Sequence, residues 1–211
     1  QKTDHFYLID GSGYIFRAYY ALPPLTRKSD GLPTGAVNGF CSMLFKLLED
    51  SKSKENLQKP SHFAVIFDSA RKTFRNEIYK DYKANRAEAP DDLAPQFDYI
   101  RKSVLAFNLP SVELSNYEAD DLIATYTNMI LKVGAKVTIV SSDKDLMQLY
   151  KKGVRIYDPM KNKFITNEDV QKKFGVEANK VIDVQALAGD SSDNVPGVPG
   201  IGVKTAAELI N

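Results

Sequence analysis

At 211 residues the chain is long enough to bury a core without disulfide or metal staples. Its 43% hydrophobic and 26% charged residues, with no apolar run near the roughly 20 residues of a membrane helix, exclude a membrane-spanning segment. Twenty-eight Lys and Arg against 27 Asp and Glu leave a net charge of +1, so any grip on a polyanion must come from how charge is distributed. A single Cys41 excludes an internal disulfide and fits a reducing compartment, and with two His the usual zinc ligand sets cannot be assembled.

Three short apolar runs punctuate the chain: Phe6-Tyr7-Leu8-Ile9, Phe63-Ala64-Val65-Ile66-Phe67 and Val137-Thr138-Ile139-Val140. Each is nearly continuous, the pattern of a strand covered by helices on both faces. Between them lie helical patterns over Phe40–Leu48, Phe97–Phe107 and Leu122–Lys132. The last is predicted to bury a face of Leu122, Tyr126, Met129, Ile130 and Val133. The alternation predicts an α/β domain with a largely parallel sheet. Ala87–Pro95 reads as an exposed connection, Thr166-Asn167-Glu168-Asp169 as a capping box opening a helix, and the chain from Asn179 as helix, Gly-rich hairpin, helix.

The acids fall where a parallel sheet binds ligands. Asp10 follows the first run, Asp68 the second, and Asp143 and Asp145 the third after two serines, so three strand ends deliver carboxylates to one crevice. Glu118, Asp120 and Asp121 open a helix, and Asp190 and Asp193 sit in a Gly-Asp-Ser-Ser-Asp-Asn loop. Each cluster alone is good capping or turn chemistry. Together they need compensation, since two carboxylates about 6 Å apart repel by roughly 3 kcal/mol at an effective dielectric of 20. All-oxygen ligands suit Mg²⁺ or Mn²⁺, and two such ions could straddle a phosphodiester. His5 and His62 precede their strands, at the far end of the sheet, and are expected to be structural or superficial. Gly11-Ser12-Gly13 begins a dinucleotide fingerprint, but Phe16 stands at its third glycine and Asp10 would face the pyrophosphate. An aspartyl-phosphate phosphatase would need Asp where Ser12 stands.

Between Arg71 and Arg86 there are six basic and two acidic residues. Helical spacing would put Arg75, Tyr79, Tyr82, Lys83 and Arg86 on one face, able to neutralise phosphates and stack the bases of a single strand; Arg71 and Lys72 add to the expected DNA contacts. Arg17, with Tyr19 and Tyr20, follows the first strand end within reach of the same crevice and is a further candidate for the chemistry. Near the end, Val198-Pro199-Gly200-Ile201-Gly202-Val203-Lys204-Thr205-Ala206 is a helix-hairpin-helix motif. There Gly200 and Gly202 let backbone approach a phosphate, while helix-start amides, Lys204 and Thr205 grip it without reading sequence.

Leu8-Ile9-Asp10-Gly11-Ser12, Ala64-Val65-Ile66-Phe67-Asp68, Tyr82-Lys83-Ala84-Asn85-Arg86, Glu118-Ala119-Asp120-Asp121, Ser142-Asp143-Lys144-Asp145 and Gly189-Asp190-Ser191-Ser192-Asp193-Asn194 form a specific set. On these residues nearly the whole chain resembles the 5′-nuclease domain found at the N-terminus of bacterial DNA polymerase I, a relative of flap endonucleases. The resemblance implies a three-layer α/β/α PIN-like core over residues 1–175, a helical arch at about 71–96, and a helix-hairpin-helix region over 176–211. By the same likeness Asp10, Asp68, Glu118, Asp120, Asp121, Asp143, Asp145, Asp190 and Asp193 hold two or more Mg²⁺ or Mn²⁺ ions, and the hairpin holds K⁺. Lys83 and Arg86 contact the scissile phosphate, and Tyr82 is a stacking position.

The activity so implied is metal-dependent 5′→3′ exonuclease and flap endonuclease cleavage. Its substrates are DNA with a 5′ flap or a 5′ end beside duplex, and the RNA primer of an RNA–DNA hybrid. The protein would act as a monomer in the bacterial cytoplasm at the nucleoid, away from membranes, within a parent that is a DNA polymerase. The competing readings are a stand-alone bacterial 5′-nuclease, a PIN-type ribonuclease and a non-catalytic DNA-binding scaffold. The chain begins at Gln1 and stops at Asn211 within a helical pattern, so both ends are expected to be trimmed, with further helices beyond Asn211.

Overall fold

The structure is a computed structural model that describes residues 3–53 and 57–211. Its sheet has six strands: β1 (His5–Asp10), β2 (His62–Ile66), β3 (Ser111–Val112), β4 (Lys136–Val140), β5 (Val154–Asp158) and β6 (Lys163–Ile165). They lie in the order β3-β2-β1-β4-β5-β6, every neighbouring pair parallel except the antiparallel β5–β6 edge. From β1 the chain winds outward to β2 and β3, then returns to lay β4 on the other side of β1. The order reverses there, and a crevice opens beyond the carboxyl ends of β1 and β4.

Helices cover both faces. On one, α1 (Gly11–Ala21), α2 (Gly35–Ser53) and α4 (Phe97–Ala106) bury Tyr14, Ile15, Phe40, Leu44 and Ile100 against Tyr7 and Ile9 of β1. On the other, α5 (Ala119–Lys132), α6 (Asn167–Phe174), α7 (Val181–Ala188) and α8 (Val203–Ile210) close over Leu8, Val137, Ile139 and Ile156. Successive β1 residues thus feed opposite cores, which is why its apolar run is unbroken. Each fully buried Leu, Ile or Phe contributes about 1.5–3 kcal/mol. Thr166 caps α6 as its sequence suggests: its hydroxyl accepts the Asp169 N–H at 3.3 Å, and Asp169 accepts the Thr166 N–H at 3.0 Å. His5 is buried at the far end of β1, its Nε2 2.8 Å from Thr138 Oγ1, and burial lowers its pKa to about 4. His62 stacks on Phe6 at the same end.

Three features differ from the sequence reading. The α5 face is rotated: Ala119, Leu122, Ile123, Thr127 and Ile130 are buried, whereas Met129 and Val133 are 55% and 78% exposed. Small Ala119 and fully buried Thr127 let the helix approach the sheet closely, a fit that apolarity alone does not rank. Strands β3, β5 and β6 carry too short or too polar a run to stand out; in β5, Arg155 interrupts the pattern and lies 3.6 Å over the Phe164 ring. Finally, the basic segment is not one helix. The only α-helical turn between Arg71 and Arg86 is α3 (Phe74–Ile78), so the predicted face from Arg75 to Arg86 does not form.

Candidate active site

Asp10 ends β1 in the crevice and caps α1. Its Oδ1 accepts the Gly13 N–H at 2.8 Å, and its Oδ2 accepts from Ser141 Oγ, at the end of β4, at 2.7 Å. Gly11 is required beside it, because a Cβ there would stand 2.5 Å from the Phe67 ring and 2.9 Å from the Ile66 carbonyl. Asp68 ties β2 to two helices: its N–H donates to Ser12 Oγ at 2.9 Å and its Oδ1 accepts the Ala119 N–H at 2.7 Å, at the start of α5. Asp143 is set by β4, its N–H donating to Ser141 Oγ at 3.0 Å and its Oδ1 accepting the Asp145 N–H at 2.8 Å. Asp120, in the first turn of α5, completes the group.

Among the described residues none of these four acids forms an ion pair with Lys or Arg. Burial, then the charges of Asp143 and Asp68, raise Asp10 to about 6 against the hydrogen bonds from Gly13 and Ser141. Asp120 is held well above the ordinary range by burial and by Asp10, Asp143 and Asp68. Asp10 and Asp120 therefore feel the neighbouring acids, and the group has no direct ion-pair partner among the described residues, Lys83 offsetting Asp120 only in part.

The remaining five acids are partnered. Glu118 Oε2 accepts from Lys83 Nζ at 2.8 Å and from the Tyr82 hydroxyl at 3.1 Å. Asp193 pairs with Arg86, accepts from the same Tyr82 hydroxyl at 3.1 Å and lies 3.8 Å from Lys83. Asp121 takes a bidentate pair from Arg75, both bonds 2.7 Å, which outweighs burial and lowers its pKa. Asp190 pairs with Lys144 at 2.5 Å and accepts the Ser192 N–H at 2.8 Å; against burial these bonds bring it down to about 2. Asp145 accepts from Gln185 at 2.6 Å and sits 3.8 Å from Lys144, but burial and Asp143 still raise its pKa.

These pairs explain why the basic segment leaves the helix. Lys83 N–H donates to the Asp193 carbonyl at 2.8 Å, Asn85 to the Ser191 carbonyl at 2.8 Å, Arg86 to the Ser192 carbonyl at 3.3 Å, and Asn194 to the Asp81 carbonyl at 2.7 Å. Residues 81–86 thus exchange helical hydrogen bonds for a seam with the 190–194 loop, and Lys83 adopts φ +55°, a left-handed conformation costing about 1–2 kcal/mol. Tyr82 lies beneath this seam. Its ring is only 9% exposed, with Lys83 Nζ 5.0 Å from the ring centre, so in this conformation it supports two acids and cannot stack on a base.

Beside the acids lies a cavity of about 430 Å³, lined by Asp68 and Glu118, by Arg71, Lys83, Arg86 and Arg101, and by Phe16, Phe67 and Phe97. Arg17 is exposed on α1 and does not line it, although its neighbour Phe16 does. Tyr19 and Tyr20 line a second cavity instead, where the Tyr19 hydroxyl donates to Asp92 at 2.7 Å. Arg71 donates to the Arg86 carbonyl, Lys72 and Tyr79 face solvent at the foot of the segment, and Arg75 is committed to Asp121.

Among the described residues no three acids are already arranged to grasp a metal ion. The donor set nevertheless suits one: four mutually repelling oxygen ligands without a protein cation fit a hard divalent ion. The match to known proteins decides the family. Residues 5–175 match the profile described as 5′-3′ exonuclease, N-terminal resolvase-like domain, and residues 176–211 that described as 5′-3′ exonuclease, C-terminal SAM fold. The chain belongs to the 5′-3′ exonuclease family.

Within that family it is 59% identical over 210 residues to DNA polymerase I of Rhizobium leguminosarum, covering all of this chain and 21% of the relative. It is 44% identical over 204 residues to the 5′-3′ exonuclease of Aquifex aeolicus, covering 97% of this chain and 68% of that one. The chain thus spans about a fifth of the polymerase it matches. Among solved structures, the T5 5′-exonuclease with zinc ions bound superposes with a TM-score of 0.77 at 23% identity, over 98% of this chain and 74% of that one. A complex of bacteriophage T5 D15 flap endonuclease with DNA and metal ions gives 0.75 at 22% identity, with the same coverages. At those identities the likeness is one of fold.

The C-terminal part of this family member presents the hairpin motif. Strands β7 (Gly189–Asp190) and β8 (Val195–Pro196) pair antiparallel and fix Asp190 at the end of α7. Gly189 turns the chain there at φ +70°, where a Cβ would fall 2.3 Å from the Gly197 nitrogen. Gly200 and Gly202 face open space before α8, and Lys204 and Thr205 are exposed in its first turn. Sequence reasoning passed over three supporting residues: Ser141, which bonds Asp10; Arg101, which donates to the Asp68 carbonyl at 3.1 Å and stacks on Phe67; and Lys144. For Lys144 the signal was present, a cation between two acids in Asp143-Lys144-Asp145.

Proposed function

We propose that this chain hydrolyses phosphodiesters at the 5′ side of branched DNA, as a divalent-metal-dependent 5′→3′ exonuclease and flap endonuclease. Residues 1–175 would supply the chemistry and 176–211 the duplex grip. The observation that carries this reading is the uncompensated acid group at the sheet's carboxyl edge, opening beside a cavity with four cationic side chains. Asp10, Asp68, Asp120 and Asp143 would hold Mg²⁺ or Mn²⁺, with Glu118, Asp145, Asp190 and Asp193 serving a second ion and Asp121 setting the Glu118 turn. When bound, the ions supply Lewis acidity and an activated water.

The chain's own residues do the rest. Lys83 and Arg86, rotated from their carboxylate partners onto the reacting phosphate, would stabilise the charge that develops there. Phe16, Phe67 and Phe97 give the cavity apolar walls on which an unpaired nucleotide can lie. Tyr82 keeps Glu118 and Asp193 in place through its shared hydroxyl. Lys204 and the amides before α8 would hold a duplex phosphate away from the chemistry. Primer RNA next to duplex DNA presents the same phosphates and 5′ end, and a parent that also polymerises DNA would supply such substrates.

The test is single-turnover cleavage of a 5′-flap duplex, a plain single strand and a blunt duplex, with Mg²⁺ and with chelator. Fastest cleavage of the flap, abolished by chelation, is expected. Cleavage that survives chelation, or that ignores the junction, overturns the proposal.

A further inference from the structure

Lys144 is engaged with an acid on each side of the crevice's C-terminal part. It projects from the turn after β4, pairs with Asp190 of β7 at 2.5 Å and stands 3.8 Å from Asp145. Both acids are otherwise pre-set, Asp145 by Gln185 and Asp190 by the Ser192 N–H and hydroxyl. Lys144 is itself one-third exposed at its side chain, whereas Asp190 is 12% exposed, so the ammonium closes the acid off from solvent. Among the described residues Asp10, Asp68, Asp120 and Asp143 have no such ion-pair partner, although Asp143 lies in the field of Lys144 and Asp120 in that of Lys83. The two halves of the acid cluster therefore start from different electrostatic states, and the partner that creates the difference at Asp145 and Asp190 is a residue of this chain.

We propose that Lys144 is a built-in counter-ion that sets the affinity of the second divalent ion, resting on the metal-site reading above. An ion entering between Asp145 and Asp190 must displace the ammonium, while an ion entering among the four unpaired acids displaces none. The first ion then binds tightly and the second weakly, and Lys144 is a positioning residue that tunes the gap between them. Its charge matters because a unit cation about 6 Å from a dication opposes binding by about tenfold in affinity even at the dielectric of water.

The experiment is calorimetric titration of the metal-free 211-residue chain with Mn²⁺, without DNA, for the parent, Lys144→Met and Lys144→Arg. Lys144→Met keeps the stem and removes the charge. The expected result is a weaker second binding event that tightens by about tenfold in Lys144→Met, with the first event changed by about threefold at most and Lys144→Arg like the parent. A second event that stays within about twofold of the parent's, or weakens, overturns the proposal. A first event that shifts as much as the second, or a charge-retaining arginine with the affinity of Lys144→Met, would equally overturn it. If the parent binds no Mn²⁺ at all, and Asp143→Asn is likewise silent, the metal-site reading itself fails.

Discussion

The two halves of the acid cluster carry the same chemical group in different electrostatic states. Asp10, Asp68 and Asp143 are bonded to backbone amides and serines beside Asp120, and burial together with the neighbouring acids raises Asp10 and Asp120. Glu118, Asp121, Asp190 and Asp193 meet Lys83, Arg75, Lys144 and Arg86. On the proposed reading the first group is left for an external cation, while the second is already served by the chain. The candidate phosphate-binding residues Lys83 and Arg86 are thus occupied until the acids find another counter-charge.

Removing a member of the unpaired group should have the largest effect. Asp143→Asn is expected to slow single-turnover flap cleavage on the order of a thousandfold, several kcal/mol of transition-state stabilisation, with DNA affinity changed far less. Equal losses in rate and affinity would point to a disturbed fold. Next comes a contrast between the basic elements. Lys83→Ala should lower the rate at saturating DNA by about ten- to a hundredfold, whereas Lys204→Ala should leave that rate alone and reduce the salt slope of log K by about 0.9, one lost phosphate contact. The reverse pattern would exchange the two assignments.

A smaller effect of opposite sign is expected on stability. Asp10 has a folded pKa near 6 against an ordinary 3.8, so the folded state holds a proton that the unfolded state releases, and metal-free stability must fall as pH rises from about 4 to 6. Asp10→Asn should remove that loss and stabilise the metal-free chain at pH 7 by about 1–3 kcal/mol, measured by urea unfolding. No gain would mean that Asp10 is compensated. Smallest of all, Arg75→Ala breaks a partly exposed pair and should cost about 1 kcal/mol or less.

Much of this was legible in the sequence. Asp10 and Asp68 could be placed because unbroken apolar runs end just before them, and the sheet's topology does the rest. The hairpin was legible because its glycines and helix start are local. The strap from Arg71 to Arg86 was not: its helical spacing is real, but five residues of it, Asp81, Tyr82, Lys83, Asn85 and Arg86, gain tertiary hydrogen bonds to a loop more than a hundred positions away, and no local pattern records that partner. Tyr82 was misread for the same reason, since its spacing resembles an exposed face while its hydroxyl is claimed by Glu118 and Asp193. Arg17 shares a helix with Phe16 but points to another side of it, a matter of one residue's rotation.

Whether the four unpaired acids await a divalent ion is decided by thermal unfolding of the chain with and without Mg²⁺ at pH 4.5 and pH 7.5. A ligand that binds only the folded state stabilises it by RT ln(1 + [L]/Kd), and its affinity depends on ionised carboxylates. The expected result is a clear rise in Tm with Mg²⁺ at pH 7.5, little or none at pH 4.5, and loss of the rise in Asp143→Asn. An equal shift at both pH values, or none at pH 7.5, would contradict it.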